Sequence, residues 1–286
     1  MSNRIIRSRL ELEGIKLADE VLNPTLEILT NHESVRGFQD KPLPEGMLKA
    51  ILTAARSAPT SSNLQVYSII VIENEQRKER MSELSGNQAF IREAPVFLVF
   101  CADIYRLKYI TKRQGYTFAA DTLEMFLLAS VDAALALQNA LVAAESLGLV
   151  TVPVGSVRNH PAEMAEELGL PDGVFALAGL SIGYEREGVR RGIKPRLPEE
   201  VTVHAEQYST AHLEEGLAAY DNVMIGRRTY DGRRVSMAGE PENSGVEYGW
   251  CEHSARRCTR PETIAASASL RENLRTVLEQ RGFSFR

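Results

Sequence analysis

The chain has 286 residues, 44% hydrophobic and 25% charged, with 20 Gly and 12 Pro, which fits one or two globular domains at about 100 to 200 residues each. That composition excludes a disordered acidic chain, a collagen-like repeat and a disulfide scaffold, because enough apolar surface is present to offset the chain entropy lost on folding. Lys plus Arg number 33 against 38 Asp plus Glu, net −5, so no overall positive field exists to hold nucleic acid.

In chain order, Met1 to Asn23 mixes Arg, Glu and Lys into every apolar run. It reads as an amphipathic extension with neither a signal peptide nor a membrane span. After a polar break at Asn31 to Glu33 and the stretch Asp40 to Pro44, Met47, Ile51, Leu52 and Ala55 recur at helical spacing and predict a helix over 45–57. Val66 to Glu73 and Pro95 to Cys101 are β-branched and apolar, and predict two buried strands. Asp121 to Leu147 is the longest helical candidate; its apolar residues wrap nearly all the way round, placing it in a core or a subunit interface, with Gly148 as C-cap.

Leu149 to Val157 and Val174 to Tyr184 predict two further strands, separated by a helix from Pro161 to near Gly169. Helix–strand alternation suggests parallel pairing by default. Residues 226–260 are poor in apolar side chains and rich in Gly and Arg, which predicts a long mobile loop before helical periodicity returns over Ile264 to Leu278. Cys101, Cys251 and Cys258 form no C-x-x-C pair, which fits a reducing, cytoplasmic compartment without a zinc framework and without a Cys251–Cys258 disulfide. His160, His204, His212 and Glu252-His253 lack partners at metal-ligand spacing, so no metal is expected.

Three clusters offer hydrogen-bond donors and positive charge to a phosphorylated, partly apolar ligand. His32-Glu33-Ser34-Val35-Arg36 combines a hydroxyl with a planar guanidinium fork, although a helix cap or a surface ion pair accounts for the same residues. Pro59 to Gln65 crowds hydroxyl and amide groups between a helix and a strand, as an ordinary turn also does. In Lys194-Pro195-Arg196-Leu197-Pro198 the proline holds Lys194 extended, so two cations at i and i+2 can converge on one anion; a solvated basic turn is the alternative. Neither G-x-G-x-x-G nor G-x-x-x-x-G-K is present.

Taken together, these segments resemble the nitroreductase family of flavin enzymes, in its NADPH-dependent nitroreductase and FMN reductase branch. The matching text is H-x-S-V-R-G-F at 32–38, S-A-P-T-S-S-N-L-Q at 57–65, G-N-Q at 86–88, F-C-A-D at 100–103, A-L-Q-N-A-L-V-A-A-E-S-L-G-L at 136–149, G-S-V-R-N at 155–159 and K-P-R-L-P at 194–198. The resemblance runs from about 27 to 234 and is far more specific for fold and cofactor than for substrate. It implies an α+β fold with a mixed, largely antiparallel sheet flanked by helices, assembled as an intertwined homodimer with FMN at the interface. The expected organisation is an extension at 1–23, an FMN-binding core at 24–225, the basic loop and insertion at 226–260, and a C-terminal helical segment at 261–286.

By that resemblance His32, Ser34, Lys194 and Arg196 hold the FMN phosphate and its neighbourhood, and Arg36 approaches the ribityl chain or the pyrimidine edge. Thr60, Ser61, Gln65 and Gln88 line the flavin, with backbone amides from Gly155 and Ser156. No protein acid or nucleophile is required: flavin N5 takes hydride from NADPH and then reduces nitroaromatic, quinone or flavin acceptors in a ping-pong cycle, the protein supplying binding and electrostatics. Arg228, Arg233 and Arg234 match a basic loop that recognises the extra phosphate of NADPH, although an Arg-rich loop also serves solubility. Glu33 stands where the family often has Arg, and residues 235–249 look like an insertion. Release of free reduced flavin, or non-catalytic flavin binding, are the other readings.

Overall fold

The computed structural model describes residues 8–18, 20–189, 192–237, 247–259 and 273–284. The chain divides into two compact units, the first Met1–Ile193 with Leu270–Arg286 and the second Lys194–Ser269. In the first, α1 (Arg9–Glu13) opens on the Ser8 hydroxyl, which accepts the Glu11 N–H. α2 (Pro24–Asn31) opens on Asn23, whose side chain accepts the Thr25 and Leu26 amides. Proline at the first helical position costs no hydrogen bond there. α3 (Glu45–Arg56) turns Ile51 and Ala55 inward, and β1 (Tyr67–Ile72) follows.

Then come α4 (Glu75–Leu84), α5 (Ala89–Glu93), β2 (Val96–Asp103), α6 (Tyr105–Arg113) and α7 (Leu123–Ser146). β3 (Val150–Val154), α8 (Pro161–Glu167) and β4 (Val174–Gly183) complete the layered part of this unit. The predicted strands and the long helix therefore stand where expected, except that the chain leaves β3 at Gly155 for a 3₁₀ turn, Gly155–Arg158.

The sheet order is β1-β2-β4-β3, and each neighbouring pair is antiparallel. This corrects the parallel default and agrees with the family resemblance. Between β1 and β2 the chain passes through α4 and α5 and comes back at the end it left, so that Ile72 faces Phe97. Helix–strand alternation alone does not distinguish such a return from a crossover. The mixed element is an isolated parallel bridge between Ser34 and Thr151.

Every residue of β2 is buried, because helices cover both faces and successive side chains point to opposite sides. Phe97, Val99 and Cys101 pack with Met81, Leu84, Phe90, Ile91 and Met164 from α4, α5 and α8. Val96, Leu98 and Phe100 pack with Ile51 and Ala55 of α3 and with Ala133, Ala136, Ala140 and Ala144 of α7. That alanine face lets α7 lie close. By length and composition α7 also suffices to cross a membrane, but its alanines are packed on the sheet. On another face Leu123, Leu127, Val131 and Leu135 recur every fourth residue and are exposed.

In the second unit, α9 (Glu199–Thr202) and α10 (Leu213–Gly226) precede α11 (Trp250–Thr259). The predicted 226–260 loop thus contains a helix. Trp250 meets Tyr220 edge-on at 5.4 Å, and Asp221 Oδ1 accepts the Cys251 N–H at 2.8 Å, so α10 supplies both a packing partner and a cap. Residues 238–246, most of the expected insertion, lie outside the described residues. So do 260–272; of the predicted Ile264–Leu278 helix the described part is α12 (Leu274–Gln280), which belongs to the first unit.

Candidate functional site

The first predicted cluster runs alongside β3. His32 ends α2, and its Nδ1 lies 2.7 Å from Glu145 Oε1 near the end of α7. The same carboxylate oxygen accepts the Thr151 hydroxyl at 2.8 Å. A carboxylate offers only acceptors, so Nδ1 carries the proton and the ring is turned by Glu145. Val35 N–H donates to Thr151 O at 3.0 Å, beside the Ser34–Thr151 bridge, and this stitching leaves Ser34 and Arg36 exposed. Glu27, Ile28, Asn31, Glu33, Glu145, Leu149 and Val150 line an adjoining cleft of about 270 Å³.

Arg36 lies 5.8 Å from the centroid of the Phe90 ring in α5. Gln88 is the N-cap residue of that helix, and its carbonyl accepts from the Ser82 hydroxyl at 3.0 Å. The 3₁₀ turn carrying Gly155 and Ser156 reaches the same region through Asn159. A Cβ on Gly86 would stand 3.3 Å from Asn159 Nδ2, and Gly86 itself has φ +80°, which suits glycine. β3 and its flanks thus connect His32, Ser34, Gly155 and Ser156, while α5 joins Arg36 with Gln88.

Thr60, Ser61 and Gln65 form a second group, on the loop that enters β1. Their side chains are exposed or half-buried, but their backbone is fixed. Asp132 of α7 accepts the Ser61 and Val66 amides, and Arg106 Nη2 donates to Gln65 O at 2.6 Å. Arg106 Nη1 is in turn held by Asp103 Oδ2 at 2.9 Å. Fixed backbone with accessible polar side chains is the arrangement a hydrogen-bonding ligand site needs.

Lys194 and Arg196 belong to the second unit, where both are exposed and Arg196 Nη1 donates to Lys194 O at 3.2 Å. Pro195 between them is buried, and its carbonyl accepts from the Tyr220 hydroxyl at 3.2 Å. Arg228 has φ 52° and pairs with Asp231, Nε to Oδ2 2.6 Å. Arg233 is exposed, and the Arg234 guanidinium lies 5.0 Å from the Tyr248 ring centroid.

In the same unit, Tyr230 stacks on His253 at 4.3 Å. The Tyr248 hydroxyl accepts Val235 N–H at 2.8 Å and stands 3.2 Å from His253 Nδ1. Burial, with the charges of Arg257 and Arg233, holds His253 below the usual imidazole range. Its neutral Nδ1 then accepts the Tyr248 proton. Of these arginines, Arg234 therefore lies against the aromatic cluster.

Asp132 and Arg106 lie outside the motifs read from the sequence, and Asp103 and Glu145 stand inside matched segments without a role assigned to them. Asp132 left a signal: it is the lone charged residue between Met125 and Ala144, and charges are rarely buried without partners. Glu145 acts on His32 across 113 positions, a separation with no local pattern.

A sheet covered by helices on both faces, with polar loops beside its two edge strands β3 and β1, defines an α+β fold. The model of the Nitroreductase family matches residues 29–184, and that of its C-terminal domain matches 194–286, the second beginning where the second unit begins. The chain is 43% identical over 207 residues to the FMN reductase [NAD(P)H] of Bacillus subtilis, covering 71% of this chain and 82% of that protein. It is 42% identical over 200 residues to the oxygen-insensitive NADPH nitroreductase of Salmonella typhimurium, covering 70% and 80%. The structure of the hypothetical oxidoreductase YcnD from Bacillus subtilis superposes with a TM-score of 0.81 at 36% identity, over 93% of this chain and 100% of that one. This chain belongs to the nitroreductase family.

Proposed function

We propose that this chain is an FMN-dependent NADPH oxidoreductase acting on nitroaromatic, quinone or flavin acceptors. The observation that carries the reading is the identity of 43% and 42% to relatives named for NAD(P)H-dependent flavin and nitro reduction. The donor set fits FMN. Hydroxyls and amides at Thr60, Ser61, Gln65 and Gln88 suit the polar edges of a flavin. A turned imidazole, Ser34 and Arg36 suit its phosphorylated tail, and Gly155 and Ser156 bring backbone amides without bulk.

Bound FMN would supply the two-electron hydride chemistry between NADPH and the acceptor. The protein's own share is binding and electrostatics: Glu145 orients His32, Asp132 and Arg106 fix the loop at 60–65, and Arg36 brings positive charge. Lys194 and Arg196 are proposed as phosphate ligands on the strength of the K-P-R-L-P match, and Arg228, Arg233 and Arg234 as ligands of the NADPH ribose phosphate. The exposed Leu127–Val131–Leu135 face of α7 supports a homodimer, and the free cysteines support a cytoplasmic location.

The purified protein should carry about one FMN per chain, and Lys194→Ala with Arg196→Ala should lose it, since each charge-assisted hydrogen bond contributes about 1.5 to 3 kcal/mol. NADPH oxidation with added acceptors separates the readings. Turnover with nitroaromatics or quinones supports the oxidoreductase, turnover confined to free flavin marks a flavin reductase, and no turnover marks a flavin-binding protein.

A further inference from the structure

Asp132 lies mid-way along α7 with 1% of its surface exposed. Both of its oxygens serve one loop: Oδ1 accepts the Ser61 N–H at 3.0 Å, and Oδ2 accepts the Val66 N–H at 3.2 Å. Between those amides Ser62, Asn63 and Gln65 have φ values of 48°, 56° and 52°, in the left-handed region that residues with a Cβ rarely occupy. A run of such residues does not keep its shape by local preference, so something rigid has to grip both ends.

On the other side of the loop, Arg106 Nη2 holds the carbonyls of Gln65 and Tyr67 at 2.6 and 2.5 Å. A buried carboxylate in an alanine-rich helix face is costly unless it is hydrogen-bonded, and here its partners are both ends of the strained segment.

We infer that Asp132 is the positioning residue of the flavin loop: by gripping the Ser61 and Val66 amides it holds the Ser61 and Gln65 side chains in a binding-ready arrangement before any ligand arrives. The inference rests on the reading that 60–65 lines the flavin. Asparagine cannot replace the carboxylate, because its NH₂ end would face one of the two N–H groups. One of the two amides would then lose its acceptor, and the grip of α7 on both ends of the strained segment would be broken.

Hydrogen exchange read by mass spectrometry on the flavin-free protein tests the clamp without any activity. In wild type the Ser61 and Val66 amides should be protected. In Asp132→Asn they should exchange at least about tenfold faster, as expected when a bond to a charged acceptor is lost, while β1 and the rest of α7 keep wild-type protection. The Kd for FMN should rise about tenfold, and the Kd for riboflavin by the same factor, because Asp132 acts on the ring loop and not on the phosphate. A folded Asp132→Asn with wild-type protection and flavin affinity would overturn the inference. If that variant does not fold, wild type decides alone: exchange of Ser61 and Val66 at free-loop rates in the flavin-free protein contradicts the clamp. Protection of both amides in a wild type that takes up no FMN would contradict the flavin reading and leave the clamp standing.

Discussion

His32 Nδ1 and Glu145 Oε1 are 2.7 Å apart, so the end of α2 and the end of α7 are joined by one charge-capable contact at the edge of β3. Thr151 donates to the same oxygen. Glu145→Ala removes the oxygen that both groups share, leaving the His32 ring and the Thr151 hydroxyl without their acceptor. Urea denaturation should show a loss of about 1 to 3 kcal/mol. FMN affinity should fall about fivefold or more through the misturned imidazole, and unchanged affinity would remove His32 from the phosphate site.

On the proposed assignment of Arg228 to the NADPH ribose phosphate, its pairing with Asp231 competes with the nucleotide. Both side chains are well exposed, so the pair contributes no more than about 1 kcal/mol and is able to exchange partners. Asp231→Asn should lower KM for NADPH. Replacing Arg228 and Arg233 with Ala should raise it, leave NADH kinetics nearly unchanged and preserve bound FMN. The wild-type preference for NADPH should be roughly tenfold or more and should shrink with added salt. Equal kcat/KM for both nucleotides would assign these arginines to solubility.

On α7, Leu127 is 52% and Val131 56% exposed, although neighbouring alanines of the same helix are fully covered. Burying each would contribute about 1.5 to 3 kcal/mol. Leu127→Glu with Val131→Glu should therefore halve the mass measured by light scattering at micromolar concentration. A wild type that is already monomeric and holds FMN would refute the dimer proposal.

Burial, with a smaller contribution from Asp103, pushes the Cys101 thiol up to about 12. The folded state thus holds this proton more tightly than the unfolded chain, whose thiol titrates near 8.5. The resulting stability is fully present below about 8.5 and is lost as pH rises from there toward the folded value. In thiol labelling at neutral pH, exposed Cys258 should react first, and Cys251, raised by burial and Asp221, more slowly. Cys101 should react only in denaturant. Rapid labelling of all three in buffer would mean that the sheet opens.

The strands were legible because Val66–Glu73 and Pro95–Cys101 are β-branched runs between prolines and polar turns, and α7 because its apolar residues leave no polar face. Strand order was not legible: nothing in α4 or α5 shows whether the chain crosses the sheet or returns. α11 was missed because Trp250 and Tyr220 are far apart in sequence and the stretch between them looks polar. Among site residues, the loop at 57–65 was readable as a motif. Its support by Asp132 and Arg106 was not, since a hydrogen bond from a side chain to a distant backbone amide leaves no spacing in the chain.

The most direct test of the central claim is an anaerobic titration of the FMN-loaded protein with NADPH, followed through the flavin's visible absorption. Complete bleaching is expected at about one NADPH per FMN, with return of the colour when a quinone or nitroaromatic is added without oxygen, as a two-electron ping-pong cycle requires. Flavin that stays oxidised in excess NADPH, or that is bleached and then not reoxidised by any such acceptor, would contradict it.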